Sequence, residues 1–215
     1  MLSARLQIFY DRILAGQPLW DIGCDHGYLG LHAHRNGLCG EVHLVDRSPT
    51  VLEKLRRQVE VRWPAGPGEG LRIWQLDAEQ EALPVVGGTV VMAGLGIGTV
   101  LRIMARSFAG KVPAGVRLVL APTLREELLR LQLRAQGWYL QHEELYSEAG
   151  HVRQLQVWET AGESAQPFWN NTTLSRDNGL LDMFLAERRQ YFSVSQSAEP
   201  DLVYLKRALA ECFPE

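Results

Sequence analysis

A chain of 215 residues, 46% hydrophobic and 22% charged, is long enough for one ordinary domain with a proper core and a modest appendage. Its formal net charge of −3 excludes a strongly basic whole-chain footprint for nucleic acid, although a local patch can still be basic. No apolar run reaches the ~18 residues of a membrane span, and Cys24, Cys39 and Cys212 fit neither a disulfide framework nor a zinc site.

The opening stretch, MLSARLQIFYDRIL, reads as a helix of a mature chain and not as a signal peptide, so the expected compartment is the reducing cytoplasm. Within it, LSARLQIFYDRIL has helical apolar spacing with Ser3 as N-cap, and Gly16 terminates the segment. PLWDIG is predicted as a short buried strand, GYLGLHAHRNG as a helix ending at Gly37, and EVHLVD as a second strand. SPTVLEKLRRQVEVRW follows as a helix capped by Ser48 with Pro49 at its first position. After the Gly/Pro loop WPAGPGEG come strand LRIWQLD, strand TVVMAG, helix GTVLRIMARSF and strand VRLVLAP. TLREELLRLQLRAQG is an amphipathic helix with Thr123 as its expected cap and Gly137 as its stop. WYLQHEELYSEAG and HVRQLQVWE form a hairpin around Ala149-Gly150.

Strands alternating with helices of this length specify βαβ units and a parallel sheet covered on both faces. The predicted fold class is therefore α/β: a Rossmann-like methyltransferase sheet, parallel with an antiparallel terminal hairpin, which dehydrogenases normally lack. Residues 1–160 make up this domain. Residues 161–215 make up a small C-terminal helical appendage, built from LLDMFLAERRQYF and LVYLKRALAECF joined by SVSQSAEPD.

Ligands of such sheets bind at the carboxyl ends of the parallel strands, near the switch point. The loops there are DIGCDHG, VDRSP, LDAEQ, AGLGIG and LAPT. Gly23 permits a sharp turn, and Gly27 is expected to let backbone approach a ligand. Asp25 occupies the place where a dinucleotide fingerprint has its second glycine; a carboxylate there repels pyrophosphate but attracts the ammonium and sulfonium charges of S-adenosylmethionine. Asp46, ending the second strand, suits both ribose hydroxyls. Asp77 suits the adenine amino group, or alternatively caps the AEQEAL segment. Gly94, with Gly96 and Gly98, lets backbone pass close to the methyl group and the substrate. His26 is the histidine best placed for catalysis. Arg5, Arg12, Arg35, Arg47, Arg56 and Arg57, with Lys54, form either a local basic patch or plain solvated helix faces.

Taken together, LSARLQ, DIGCDHGYLGLHAHRNG, VDRSPTVLEKLRRQV, LDAEQEAL, AGLGIGTVLRIM, LVLAPT and NGLLDMFLAERRQYF resemble the bacterial tRNA (adenine-22-N1) methyltransferase family over most of the chain. The DIG-x-DH-x-YL block is the specific part. The resemblance implies S-adenosylmethionine as cofactor, surrounded by Asp21, Gly23, Asp25, Asp46 and Asp77, and tRNA as partner, gripped with help from the C-terminal helices. This chain is a diverged member: GLGIG replaces a GMGG-like loop, APT replaces QP plus a polar residue, and Asp77 lacks flanking glycines.

The implied reaction methylates ring nitrogen 1 of adenine, whose free lone pair needs no base, so catalysis reduces to alignment plus electrostatic help for the forming cation. Asp25 is the candidate for that help and Tyr28 its stacking or hydrogen-bonding neighbour; Trp169 or Tyr191 is expected to hold the unstacked base. The alternatives are a methyltransferase of a small molecule or protein, and a cofactor-binding homologue without activity.

Overall fold

The computed structural model describes residues 2–108, 113–123, 125–161, 179–194 and 200–212. The order is α1 (Ala4–Tyr10), β1 (Leu19–Ile22), α2 (Tyr28–Arg35), β2 (Val42–Asp46), α3 (Pro49–Arg62), β3 (Leu71–Gln75), β4 (Gly88–Ala93), α4 (Ile97–Phe108), β5 (Val116–Ala121), α5 (Glu126–Ala135), β6 (Tyr139–Glu148), β7 (His151–Glu159), α6 (Leu180–Val194) and α7 (Pro200–Cys212). The strands form one sheet in the order β3-β2-β1-β4-β5-β7-β6. The first five are parallel, and β7 joins β5 antiparallel. This is the predicted Rossmann-like methyltransferase sheet with its reversed terminal hairpin. The order reverses between β1 and β4, which puts the switch point at the tip of β1.

Alternation along the strands sorts the core. Leu19, Leu44, Val91 and Val119 face Phe9 of α1, Leu29 and Leu31 of α2 and Leu52 and Leu55 of α3. Their neighbours Trp20, Val45, Val90 and Leu118 face the other way, onto Val100, Ile103 and Met104 of α4 and Leu129 and Leu133 of α5. A third cluster joins Leu145 and Val152 of the hairpin to Leu181, Phe184 and Leu185 of α6 and Leu205 and Leu209 of α7. Among the described residues no helix is long and apolar enough to cross a membrane.

Two predicted boundaries are corrected. The first helix does not run to Leu14: after Tyr10 the chain tightens, with Arg12 and Ile13 donating three residues back to Phe9 and Tyr10. The Leu14 amide is then taken by the Thr89 hydroxyl at 3.0 Å, a tertiary bond that replaces a helical one. Thr123 is not the cap of α5, which starts three residues later behind Arg125 at φ +60°. Thr123 is held elsewhere: its amide donates to the Leu95 carbonyl at 3.1 Å, and its carbonyl accepts from Arg153 at 2.7 Å.

Candidate active site

A cleft opens at the switch point, in two adjoining cavities of about 590 and 240 Å³. These sizes match the few hundred Å³ of small-molecule sites. Asp21, Gly23, Asp25, His26, Tyr28 and Gly94 line the larger cavity, with Cys24, Leu95, Arg5 and Glu148. Asp46 and Asp77 line the smaller one, with Arg47, Glu79 and Thr99. Gly23 and Leu95 border both cavities, so the sharp turn after β1 and the loop after β4 divide them.

The turn is built around carboxylates. Gly27 stands at the N-cap of α2 with φ +65° and has no side chain to satisfy the first amides of the helix. Asp21 does so from the end of β1: its Oδ2 accepts from the Gly30 amide at 3.2 Å. Burial pushes the Asp21 carboxyl up to about 6; the Gly30 amide opposes the shift and the nearby Asp46 charge adds to it. Asp25 adopts φ +48°, a conformation Asp tolerates better than most residues. Its amide donates to Asp46 Oδ2 at 3.3 Å, while Asp46 Oδ1 accepts from the Ser48 amide at 2.9 Å. A carboxylate has about four lone-pair directions, so Asp46 keeps roughly two acceptor positions for a ligand with paired hydroxyls. Ser48 caps α3, leaving Asp46 free of that duty.

The field in the larger cavity is negative. The Cys24 thiol is pushed well up, first by burial and then by the Asp21 and Asp46 carboxylates, so it stays neutral and is no nucleophile. His26 Nε2 lies 3.7 Å from Asp25 Oδ2, and its ring sits 5.4 Å from that of Tyr28. Both rings are about half exposed at the rim.

Asp77 holds the AEQEAL segment, but in a turn and not as a helix cap. Its Oδ1 accepts from the Glu79 amide at 3.0 Å, closing a turn where no helix forms, while the carboxyl still borders the smaller cavity. Glu79 in turn holds Arg102 through a 2.6 Å bond from Nε.

The role expected of Gly27 is corrected. It borders neither cavity; a Cβ there would lie 2.7 Å from Leu55 Cδ1, so the glycine answers core packing and a positive φ. Tyr191 also borders neither cavity and meets Phe192 edge-on at 5.3 Å. Trp169 lies outside the described residues. Sequence reasoning missed Glu148 as a lining residue, because only the fold of the hairpin brings β6 to α1. In the sequence Arg5 stands only as one of several arginines.

Ionised Asp21 costs stability, which gives a test with a definite sign. Its folded-state value lies above the ordinary 3.8, so its contribution is fully present below pH ~4 and lost as the pH rises through about 6. Asp21→Asn keeps an oxygen for Gly30 and should be more stable than the parent by about 1–3 kcal/mol at pH 8. That gain should vanish near pH 4. Urea melts at the two pH values measure it.

The model of a family described as "Methyltransferase domain" matches residues 2–155. No curated protein matches the sequence. Among solved structures, the chain is similar to M. capricolum TrmK in complex with S-adenosyl-homocysteine, at 16% identity and TM-score 0.73, covering 98% of this chain and 96% of that one. It is also similar to the B. subtilis m1A22 tRNA methyltransferase TrmK, at 21% identity and TM-score 0.72, over 98% of both chains. Sp1610 of Streptococcus pneumoniae with S-adenosyl-L-methionine gives 20% identity and TM-score 0.67, over 98% and 99%. With the family model covering the five parallel strands and every loop of the cleft, the chain belongs to the methyltransferase-domain family.

Proposed function

We propose that this chain uses S-adenosylmethionine to methylate ring nitrogen 1 of an adenine in tRNA. The observation that carries the proposal is the whole-length likeness to TrmK, which extends past the methyltransferase domain through α6 and α7. The residues of the cleft fit the cofactor: carboxylates face the larger cavity, where a phosphate-bearing dinucleotide would be repelled. When bound, S-adenosylmethionine supplies an electrophilic methyl group on a sulfonium centre.

The remaining work falls to this chain. Asp46 offers its free acceptor positions to the ribose hydroxyls, and Asp77 borders the cavity that takes the adenosine end. Asp21 and Asp25 set the negative potential around the cationic part, with Gly23 and Gly94 keeping side chains out of its path. Asp21 must be ionised for this, so cofactor affinity should fall as the pH drops through about 6. Adenine nitrogen 1 arrives with its own lone pair, so Asp25 serves as an electrostatic partner for the cation forming on the base. Tyr28 and His26, paired at the rim, offer the incoming base an aromatic surface. Lys54, Arg56 and Arg57 lie exposed on α3, although Arg57 is engaged by Glu53, so part of the basic gathering is a solvated helix face.

The test is transfer of labelled methyl to total tRNA, followed by digestion to nucleosides. The expected product is 1-methyladenosine, with Asp25→Asn slower by about 10- to 100-fold at saturating cofactor. Label confined to protein or small molecules would contradict the tRNA reading.

A further inference from the structure

We propose that Arg5 of α1 is the binding residue for the α-carboxylate of the methyl donor, held over the cleft by Glu148. The inference rests on the cofactor reading above and deepens it. The donor's amino-acid end carries one negative charge into a cavity whose ionisable walls are mostly acidic: Asp21, Asp25 and Glu148. A carboxylate entering such a field needs a fixed cation. Among the described residues that line the larger cavity, Arg5 is the only lysine or arginine.

Its position is built. Ser3 caps α1, accepting from the Leu6 amide at 3.3 Å, and so sets where the first turn begins. Arg5 Nη1 pairs with Glu148 Oε1 at the end of β6, and the guanidinium lies 6.0 Å from the Phe9 ring centroid. Lower on the same helix Phe9 packs edge-on to Tyr146, and in the turn just past its end Arg12 Nη2 pairs with Glu144 Oε2 at 2.9 Å. Three contacts therefore fix α1 and the turn behind it along β6, and the uppermost of them closes one wall of the cleft. The pair with Glu148 does not exhaust the guanidinium, which has five donors in a planar fork; its Nε is buried with no partner. About a third of each side chain stays exposed, so the fork remains open to a ligand on the cavity side.

A ligand series separates this role from a structural one. Binding of S-adenosylmethionine, decarboxylated S-adenosylmethionine and methylthioadenosine is measured by calorimetry for the parent and for Arg5→Gln. Arg5→Gln should weaken S-adenosylmethionine by about 10- to 100-fold, as loss of a charged hydrogen bond does, and leave the other two within about twofold. Arg5→Lys, which keeps the charge but not the fork, should weaken S-adenosylmethionine by only a few-fold. Equal weakening of all three ligands would overturn the proposal, because Arg5 would then merely hold α1 in place. Unchanged S-adenosylmethionine binding would overturn it too, assigning the carboxylate to backbone amides. Failure of the parent chain to bind S-adenosylmethionine would instead sink the cofactor reading itself.

Discussion

Replacing Asp46 with alanine should weaken S-adenosylmethionine binding by at least ~100-fold and methyl transfer with it. Asp46 is the joint of the cleft: its two oxygens already take the amides of Asp25 and Ser48, which fixes the acid loop relative to the start of α3. The acceptor positions left over suit the ribose diol, and two hydrogen bonds to a charged group are worth about 1.5–3 kcal/mol each. The variant loses these bonds and also frees Asp25, whose positive φ depends on being tied down. Asp46→Asn should fall between, since it keeps one oxygen and loses the charge. Calorimetry with the cofactor reads the loss directly, and a change under about fivefold for Asp46→Ala would show that the diol is held elsewhere.

The second large effect concerns stability. Arg188 of α6 reaches into the start of α5, where Nη2 meets Glu126 Oε2 at 2.7 Å and Nε meets Glu127 Oε1 at 2.5 Å. All three side chains are at least nine-tenths buried. Removing their ion-pair partner in Arg188→Leu leaves two buried carboxylates unpaired, a loss of about 3–5 kcal/mol. For a chain of this size that is a fall in Tm of roughly 6–20 °C. The deficit should depend on pH. Burial already pushes Glu126 up to about 7 with Arg188 opposing the shift, so without Arg188 the carboxyl rises further. A raised acid loses its contribution as pH increases, so the variant should melt furthest below the parent at pH 8 and less so at pH 5.5. Adding Glu126→Gln and Glu127→Gln should restore most of the loss. Equal melting of Arg188→Leu and parent at pH 8 would show that the network carries no net stability.

Much of the fold was legible in the sequence because period-two and period-3.6 patterns alternate with clear punctuation. PLWDIG, EVHLVD and TVVMAG are short and apolar, and each helix between them begins or ends at a Ser, Pro or Gly. The cofactor loops were legible for the same reason: in this topology an acid at a strand tip has few places to be. Other features depend on contacts between distant segments, which local pattern does not encode. The cap of α5 moved because Leu95 and Arg153 claim Thr123. Gly27 proved to be dictated by Leu55, 28 residues away in sequence, and not by a ligand. Glu148 enters the site only because the hairpin β6–β7 folds back onto α1.

The most direct test of the account is a titration of the purified chain with S-adenosylmethionine and, separately, with NAD. A cleft walled by Asp21, Asp25 and Glu148 should take up one equivalent of the cationic methyl donor and leave NAD unbound at millimolar concentration. Saturable binding of NAD, or none of S-adenosylmethionine, would contradict it.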